Sequence, residues 1–351
     1  MFKVQSSVEK VSKVEGVEGV EKVERVEKVV LGVIGAGLFG KALLLPALSK
    51  VKEVRFHTLS TSSSANAYHT AKKYGFERCT TDYRELLKND EINTVLILTP
   101  HSLHGRMVIE SLKAGKHVFV EKPLCITEEE LNEILEVKHK FSDRYLMVGY
   151  NRRFSSHSVW AKNTIKERSN PIIANYRINA GFVPADHWVH SEEEGGGRII
   201  GEVCHFVDFL QFITGSEPVR IYAERVSGDN RSILNSDNVS IVIKFKDGSV
   251  GNIFYTASGD KAFSRERVEI FSEGKTVVIE DFRVSELYFN GKRRKFKTMN
   301  QDMGYRSELE HFISCIREQE EPKLSFHEIY LSTLAVFKIN EALEKAVAIT
   351  L

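Results

Sequence analysis

From Val29 onward, short apolar runs take turns with segments whose apolar residues recur three and four apart. VVLGVIG reads as a strand and KALLLPALSKV as a helix, and the alternation continues through VRFHTL, SANAYHTAKKYG, TVLILTP, SLHGRMVIESLKAG and HVFVEKP. TEEELNEILEVKHKF follows, with Thr127 and Glu130 at the spacing of a capping box, and then the strand YLMVGY. Strands that alternate with helices predict a doubly wound parallel sheet with crossover helices.

Near residue 151 the texture changes. From Ile172 the strands lengthen and pair as hairpins, with expected turns at Asp247-Gly248, near Gly274 and at Asn290-Gly291. Asp-Gly and Asn-Gly are two-residue hairpin signals because both turn positions need positive φ. The second half is therefore expected to be a mainly antiparallel sheet, with helices near 198–214, 303–318 and 326–346. The division predicted is an arm at 1–28, a dinucleotide-binding domain at 29–150 and a second domain at 151–351. In the arm, valine recurs at every third position from Val8 to Val29. That period suits neither a helix stripe nor a strand, so the arm is expected to be solvated, or else to clasp a neighbouring subunit or the cofactor.

A length of 351 residues suits two domains with a core each. The net charge of +1 provides no global field for nucleic acid or an anionic membrane, and neither is expected as a partner. Cys79, Cys125, Cys204 and Cys315 are scattered, which fits a reducing cytoplasm, and no apolar run is long enough to span a bilayer. No zinc pattern or GxSxG nucleophile motif is present, so no metal is expected and covalent hydrolysis is set aside.

The chemistry starts at Gly35, Gly37 and Gly40, a GxGxxG motif between a strand and a helix. Such glycines let backbone N–H groups approach a pyrophosphate at the positive end of a helix, and Leu38 and Phe39 lie within the loop. The second strand should end in an acid for the ribose of NAD, yet no acid lies between Glu53 and Glu77. Ser60, Thr61 and Ser62 stand there instead, able to bond a 2′-hydroxyl or a 2′-phosphate or simply to form a loop and helix cap. The cofactor expected is NAD or NADP.

Ligands of open parallel sheets sit beyond the carboxyl ends of the strands. That rule selects Thr99, Pro100, Glu121, Lys122, Tyr150, Asn151, Arg152 and Arg153. Lys122 is suited to polarise a carbonyl or take a hydroxyl proton. Arg152 or Arg153 is a candidate for an anionic substrate group, with solvated surface as the alternative.

TPHSLH, AGKHVFVEKPL and GGGRIIGEVCHFVD together resemble the Gfo/Idh/MocA family, named for glucose-fructose oxidoreductase, inositol dehydrogenase and a rhizopine catabolism protein. The likeness runs from about Val29 to the end. It implies a Rossmann domain followed by an open-faced sheet that covers the nicotinamide and joins subunits into a homodimer or homotetramer. It also implies NAD(P)-dependent oxidation or reduction of a sugar, cyclitol or nucleotide-sugar hydroxyl. The catalytic lysine of the family falls on Lys122 and its catalytic histidine on His205, with His104 and Glu121 on the cofactor side. The aspartate usual four residues before that histidine falls on Gly201. Glu202 is a displaced substitute, Asp208 either orients the imidazole or faces solvent, and His187 and Trp188 sit on a loop able to reach a sugar. The competing reading is a cofactor-binding sensor that kept the fold and lost turnover.

Overall fold

The computed structural model describes residues 28–228 and 234–351, so the expected arm lies outside the described residues except for Lys28. Six parallel strands form the first sheet: β1 (Val29–Ile34), β2 (Val54–Ser60), β3 (Arg78–Thr80), β4 (Thr94–Ile97), β5 (His117–Val120) and β6 (Leu146–Val148). Their order is β3-β2-β1-β4-β5-β6, which leaves a crevice at the carboxyl ends of β1 and β4 where the winding reverses. Helices α1 (Leu45–Leu48), α2 (Ser64–Tyr74), α3 (Tyr83–Leu87), α4 (His104–Lys113) and α5 (Glu128–Lys140) connect them. Thr127 accepts from the N–H of Glu130, so the expected cap starts α5. Strands β4, β5 and the edge strand β6 are buried throughout, which is why they read as unbroken apolar runs.

The second sheet has nine strands in the order β14-β13-β12-β11-β7-β10-β9-β8-β15. They are β7 (Ile173–Asn179), β8 (Pro218–Arg225), β9 (Asn238–Phe245), β10 (Val250–Thr256), β11 (Glu266–Ser272), β12 (Lys275–Glu280), β13 (Val284–Phe289), β14 (Lys292–Lys297) and β15 (Ile349–Thr350). All neighbours run antiparallel except β7 and β10. Helices α6 (Ser156–Ile165), α7 (Cys204–Thr214), α8 (Tyr305–Glu318) and α9 (Phe326–Lys345) complete the chain. Tyr176, Ile241, Ile253, Tyr255 and Ile270 turn inward and are buried, whereas Ile173, Tyr222, Val242, Phe254 and Phe271 on alternate positions are exposed. This outer face also carries a shallow hollow of about 510 Å³ among Arg267, Val278, Glu280, Val284, Glu286 and Tyr288.

Two of the three expected turns have positive φ at both central residues, Glu273-Gly274 and Asn290-Gly291. At Asp247-Gly248 only Gly248 does, and Ser249 completes a longer turn in which the Phe245 N–H donates to its carbonyl. The sequence pattern does not reveal β3, α3 or α6. β3 is a three-residue edge strand, and α6 buries His157 and Ser158 beside Ala161 and Ile165, which blurs its apolar stripe. No helix among the described residues is long and apolar enough to cross a membrane.

Two adjacent arginines after β6 join the halves. Arg152 donates to both oxygens of Glu266 on β11, at 2.9 and 2.7 Å, and Arg153 to both oxygens of Asp208 on α7, at 3.0 and 2.6 Å. Arg153 also reaches Glu328 at the start of α9, at 3.0 Å. Neither guanidinium is solvated surface, and neither is free for a substrate anion, because each is buried against carboxylates. Removing one member of such a pair leaves a desolvated charge, at about 3–5 kcal/mol, whereas an apolar replacement of both can be near neutral. Arg153→Met is thus expected to lose about that much in chemical denaturation and Arg153→Met/Asp208→Leu clearly less. Equal losses in the two variants would contradict this account of the pair.

Candidate active site

The three glycines of the first turn each meet a different constraint. Gly35 has φ of +92°, and a Cβ there would lie 2.5 Å from the Leu98 carbonyl oxygen. A Cβ on Gly40 would press on Leu98 Cδ1 at 3.2 Å, so this glycine allows close packing of helix on strand. At Gly37 a Cβ would meet nothing within 4 Å. The space in front of Gly37 is open, and the helical turn that begins at Leu38 leaves its first N–H groups without intrahelical partners. This open cradle fits a dinucleotide pyrophosphate. Leu38 and Phe39 are exposed beside it, as are Thr99 in part and Pro100 at the end of β4.

At the end of β2, Ser60 and Thr61 are buried, and the Thr61 hydroxyl donates to the Ser63 carbonyl at 2.8 Å. Ser63 caps α2, so part of the serine run does serve as a helix cap. Ser62 is exposed.

Beyond the strand ends lies a cavity of about 270 Å³ lined by both halves of the chain. Phe39, Lys122, Arg152, His187, Trp188, Glu202 and His205, all marked in the sequence, meet there. Lys122 Nζ donates to the Gly201 carbonyl at 2.8 Å, a contact across 79 residues that ties β5 to the approach of α7. His205, in the first turn of α7, is pushed well below the usual imidazole range by burial, then by Arg152, Lys122 and Arg265. Its ring is therefore neutral, and Nδ1 is buried with no hydrogen-bond partner. Glu202 pays for burial, but Arg198 at 2.9 Å, with Lys122 and Arg265, holds its carboxyl below the usual range. One Glu202 oxygen, Oε2, has no hydrogen bond.

Several expectations change. Asp208 neither orients His205 nor faces solvent, since both of its oxygens are taken by Arg153. Tyr150 and Asn151 are buried and do not line the cavity: the tyrosine ring meets His205 edge-on at 6.3 Å with its hydroxyl 3.4 Å from that of Thr333, and the Asn151 amide donates to the Met303 carbonyl at 2.6 Å. They belong to the domain junction, where strand-end position alone did not reveal direction. His104 is buried between the carbonyls of Pro123 and Thr99, at 2.6 and 2.9 Å, and supports the strand ends from behind. Glu121 is buried under Lys122 and accepts from its N–H at 3.2 Å, while burial raises its carboxyl to about 7 against the pull of Lys122.

Gly201 is explained by a residue the sequence reading passed over. A Cβ at Gly201 would lie 2.8 Å from Cε1 of His101, so this imidazole fills the space into which a side chain at 201 would point. His101 lies in the TPHSLH stretch, but its separation of 100 residues from Gly201 hid the exchange. Arg265, Val183, Phe206 and Tyr305 also line the cavity and were not anticipated. Arg265 and Tyr305 come from strand and helix starts with no motif to mark them, and Tyr305 meets Phe39 of the glycine loop edge-on at 5.7 Å.

Fold and site together define a dinucleotide-binding oxidoreductase. Residues 29–150 match the model of an oxidoreductase family with an NAD-binding Rossmann fold, and residues 171–278 match the GFO/IDH/MocA C-terminal domain. The chain belongs to the Gfo/Idh/MocA family. Among curated relatives it is 25% identical to myo-inositol 2-dehydrogenase of Thermotoga maritima, covering 90% of this chain and 96% of that one. It is 28% identical to scyllo-inositol 2-dehydrogenase (NAD(+)) of Bacillus subtilis, covering 83% and 86%. Among solved structures, a levoglucosan dehydrogenase complex with NADH and levoglucosan superposes with a TM-score of 0.80 at 21% identity, covering 92% of this chain and 99% of that one. An oxidoreductase domain protein from Kribbella flavida gives a TM-score of 0.82 at 19% identity over the same shares.

The packing of His101 against Gly201 predicts coupling between them. Gly201→Asp alone is expected to lower thermal stability, by about 1–3 kcal/mol of overpacking. In Gly201→Asp/His101→Ala the loss should be smaller than the sum of the single losses. Strict additivity in this cycle would show that the two side chains do not compete for one space.

Proposed function

We propose that this oxidoreductase transfers a hydride between NAD(P) and a secondary alcohol or ketone of a sugar or cyclitol. The observation that carries the reading is the convergence of Lys122 and a neutral His205 on one cavity beside the glycine cradle. When bound, the nicotinamide supplies the hydride acceptor or donor. Lys122 uses one N–H on the Gly201 carbonyl, and its remaining N–H groups are available to the reacting oxygen. Held there, the lysine stabilises the charge that grows on this oxygen, and His205, being neutral, has a lone pair to take the hydroxyl proton. Glu202 Oε2, 3.5 Å from the Arg265 guanidinium and without a hydrogen bond, has acceptor capacity for a neighbouring hydroxyl, and Trp188 supplies an apolar wall at the cavity mouth. The inositol and levoglucosan dehydrogenases among the relatives support the same substrate class.

The outer face of the second sheet, with Ile173, Phe254 and Phe271 exposed, is proposed as the contact with further copies of the chain. Sedimentation of the wild type and of Phe254→Lys tests this, since a monomer in both rejects it.

Incubation with NAD and separately with NADP, across a panel of cyclitols, sugars and nucleotide sugars, is expected to generate reduced-nicotinamide absorbance. Lys122→Met should cut kcat by several orders of magnitude with cofactor affinity nearly intact, because the lysine acts on the reacting oxygen. Near-normal turnover in that variant removes the role assigned to Lys122. Cofactor binding without turnover across the panel would favour a sensor.

A further inference from the structure

The mechanism above gives no task to His101, although its side chain lines the cavity with Lys122 and His205. Its position is built rather than incidental. The residue follows Pro100 at the end of β4, and its ring is buried where a side chain at 201 would otherwise lie. Trp188 packs edge-on against it at a centroid distance of 4.9 Å, and His104 stands behind at 5.9 Å.

One contact determines its hydrogen-bonding state. His101 Nδ1 is 2.9 Å from the Gly195 carbonyl oxygen. A carbonyl only accepts, so Nδ1 carries the proton and donates. Burial, with Lys122 nearby, pushes the imidazole down to about 3, so a second proton is not taken up near neutrality. Nε2 is consequently a lone-pair acceptor in the fixed tautomer, and it has no hydrogen-bond partner among the described residues. Among the cavity-lining residues, the buried atoms His205 Nδ1 and Glu202 Oε2 also lack a hydrogen bond, the latter 3.5 Å from the Arg265 guanidinium.

We infer that His101 is a substrate-positioning residue whose Nε2 accepts a hydrogen bond from a hydroxyl of the bound polyol, on the wall shared with Gly201. The inference rests on the sugar or cyclitol reading for its ligand class. An uncharged acceptor offers a hydroxyl an oriented lone pair without placing a carboxylate beside Lys122. Trp188 and the Gly195 carbonyl hold the ring, so little side-chain freedom is lost when the hydroxyl arrives.

The experiment uses the full chain with NAD bound, labelled with nitrogen-15 in histidine. Imidazole nitrogen spectra are recorded alone and with myo-inositol, scyllo-inositol or levoglucosan as probes. Free His101 is expected to show its proton on Nδ1 and no titration between pH 5 and 9, a window well above about 3. A bound polyol should shift the Nε2 resonance and leave Nδ1 nearly unchanged. A proton on Nε2, or an Nε2 signal unmoved by all three polyols, overturns the inference. In kinetics with a panel substrate, His101→Phe should raise KM about tenfold with kcat changing much less, and His101→Gln, which keeps an acceptor oxygen, should recover part of that loss. A fall in kcat alone also overturns it. Turnover of a polyol that leaves Nε2 unmoved defeats this inference and spares the proposed function. A shift at Nε2 in a protein that reduces no cofactor defeats the proposed function and spares this inference.

Discussion

Two guanidinium groups that cannot remain unpaired hold the molecule in its working shape. Arg152 and Arg153 leave the last strand of the nucleotide-binding sheet and are buried at once, one against Glu266 on the second sheet and the other against Asp208 and Glu328 on two helices. A buried charge without its partner costs several kcal/mol, so the pairs tolerate little displacement between the halves. Since Asp208 lies on the same helix as His205, the clamp that satisfies Arg153 also sets the histidine over the strand ends that carry Lys122. The contact between Lys122 and the Gly201 carbonyl closes the same junction from the other side.

Around this junction the charges are sorted by layer. Arg152, which lines the cavity, and Arg153 behind it are neutralised by carboxylates, and Glu202 is held by Arg198. Burial keeps His101 and His205 uncharged. Facing the cavity are an ammonium with donors to spare, the guanidiniums of Arg152 and Arg265, uncharged imidazoles and one Glu202 oxygen that has no hydrogen bond but lies 3.5 Å from Arg265. Donors and acceptors of that kind can bond hydroxyls, which both donate and accept, and the Lys122 ammonium would stabilise an oxyanion that forms beside it.

The exchange at Gly201 is steric in origin. The family resemblance places an acid there, but His101 fills the volume, and glycine is the residue that leaves the ring room while still presenting a carbonyl to Lys122. A missing side chain at one position is thus explained by a present one far away in the chain. It does not by itself argue for lost activity.

Much of this was legible in the sequence because it depends on near neighbours in the chain. Period and turn chemistry marked the alternating strands and helices and the Asn290-Gly291 hairpin, and the glycine spacing marked the cofactor cradle, since a tight turn and a close helix N-terminus are local demands on the backbone. Family motifs placed Lys122 and His205. The direction in which each side chain points was not local. Tyr150, Asn151 and Glu121 stand at strand ends like Lys122, yet they turn into the protein because partners such as Met303 and Thr333 approach from distant segments. Arg153 and Asp208 found each other across 55 residues, and His101 and Gly201 across a longer span. Burial and steric exclusion depend on what surrounds a residue in space, so only the tertiary structure could decide which charges are paired, which imidazoles stay neutral and which ring fills the place left by a glycine.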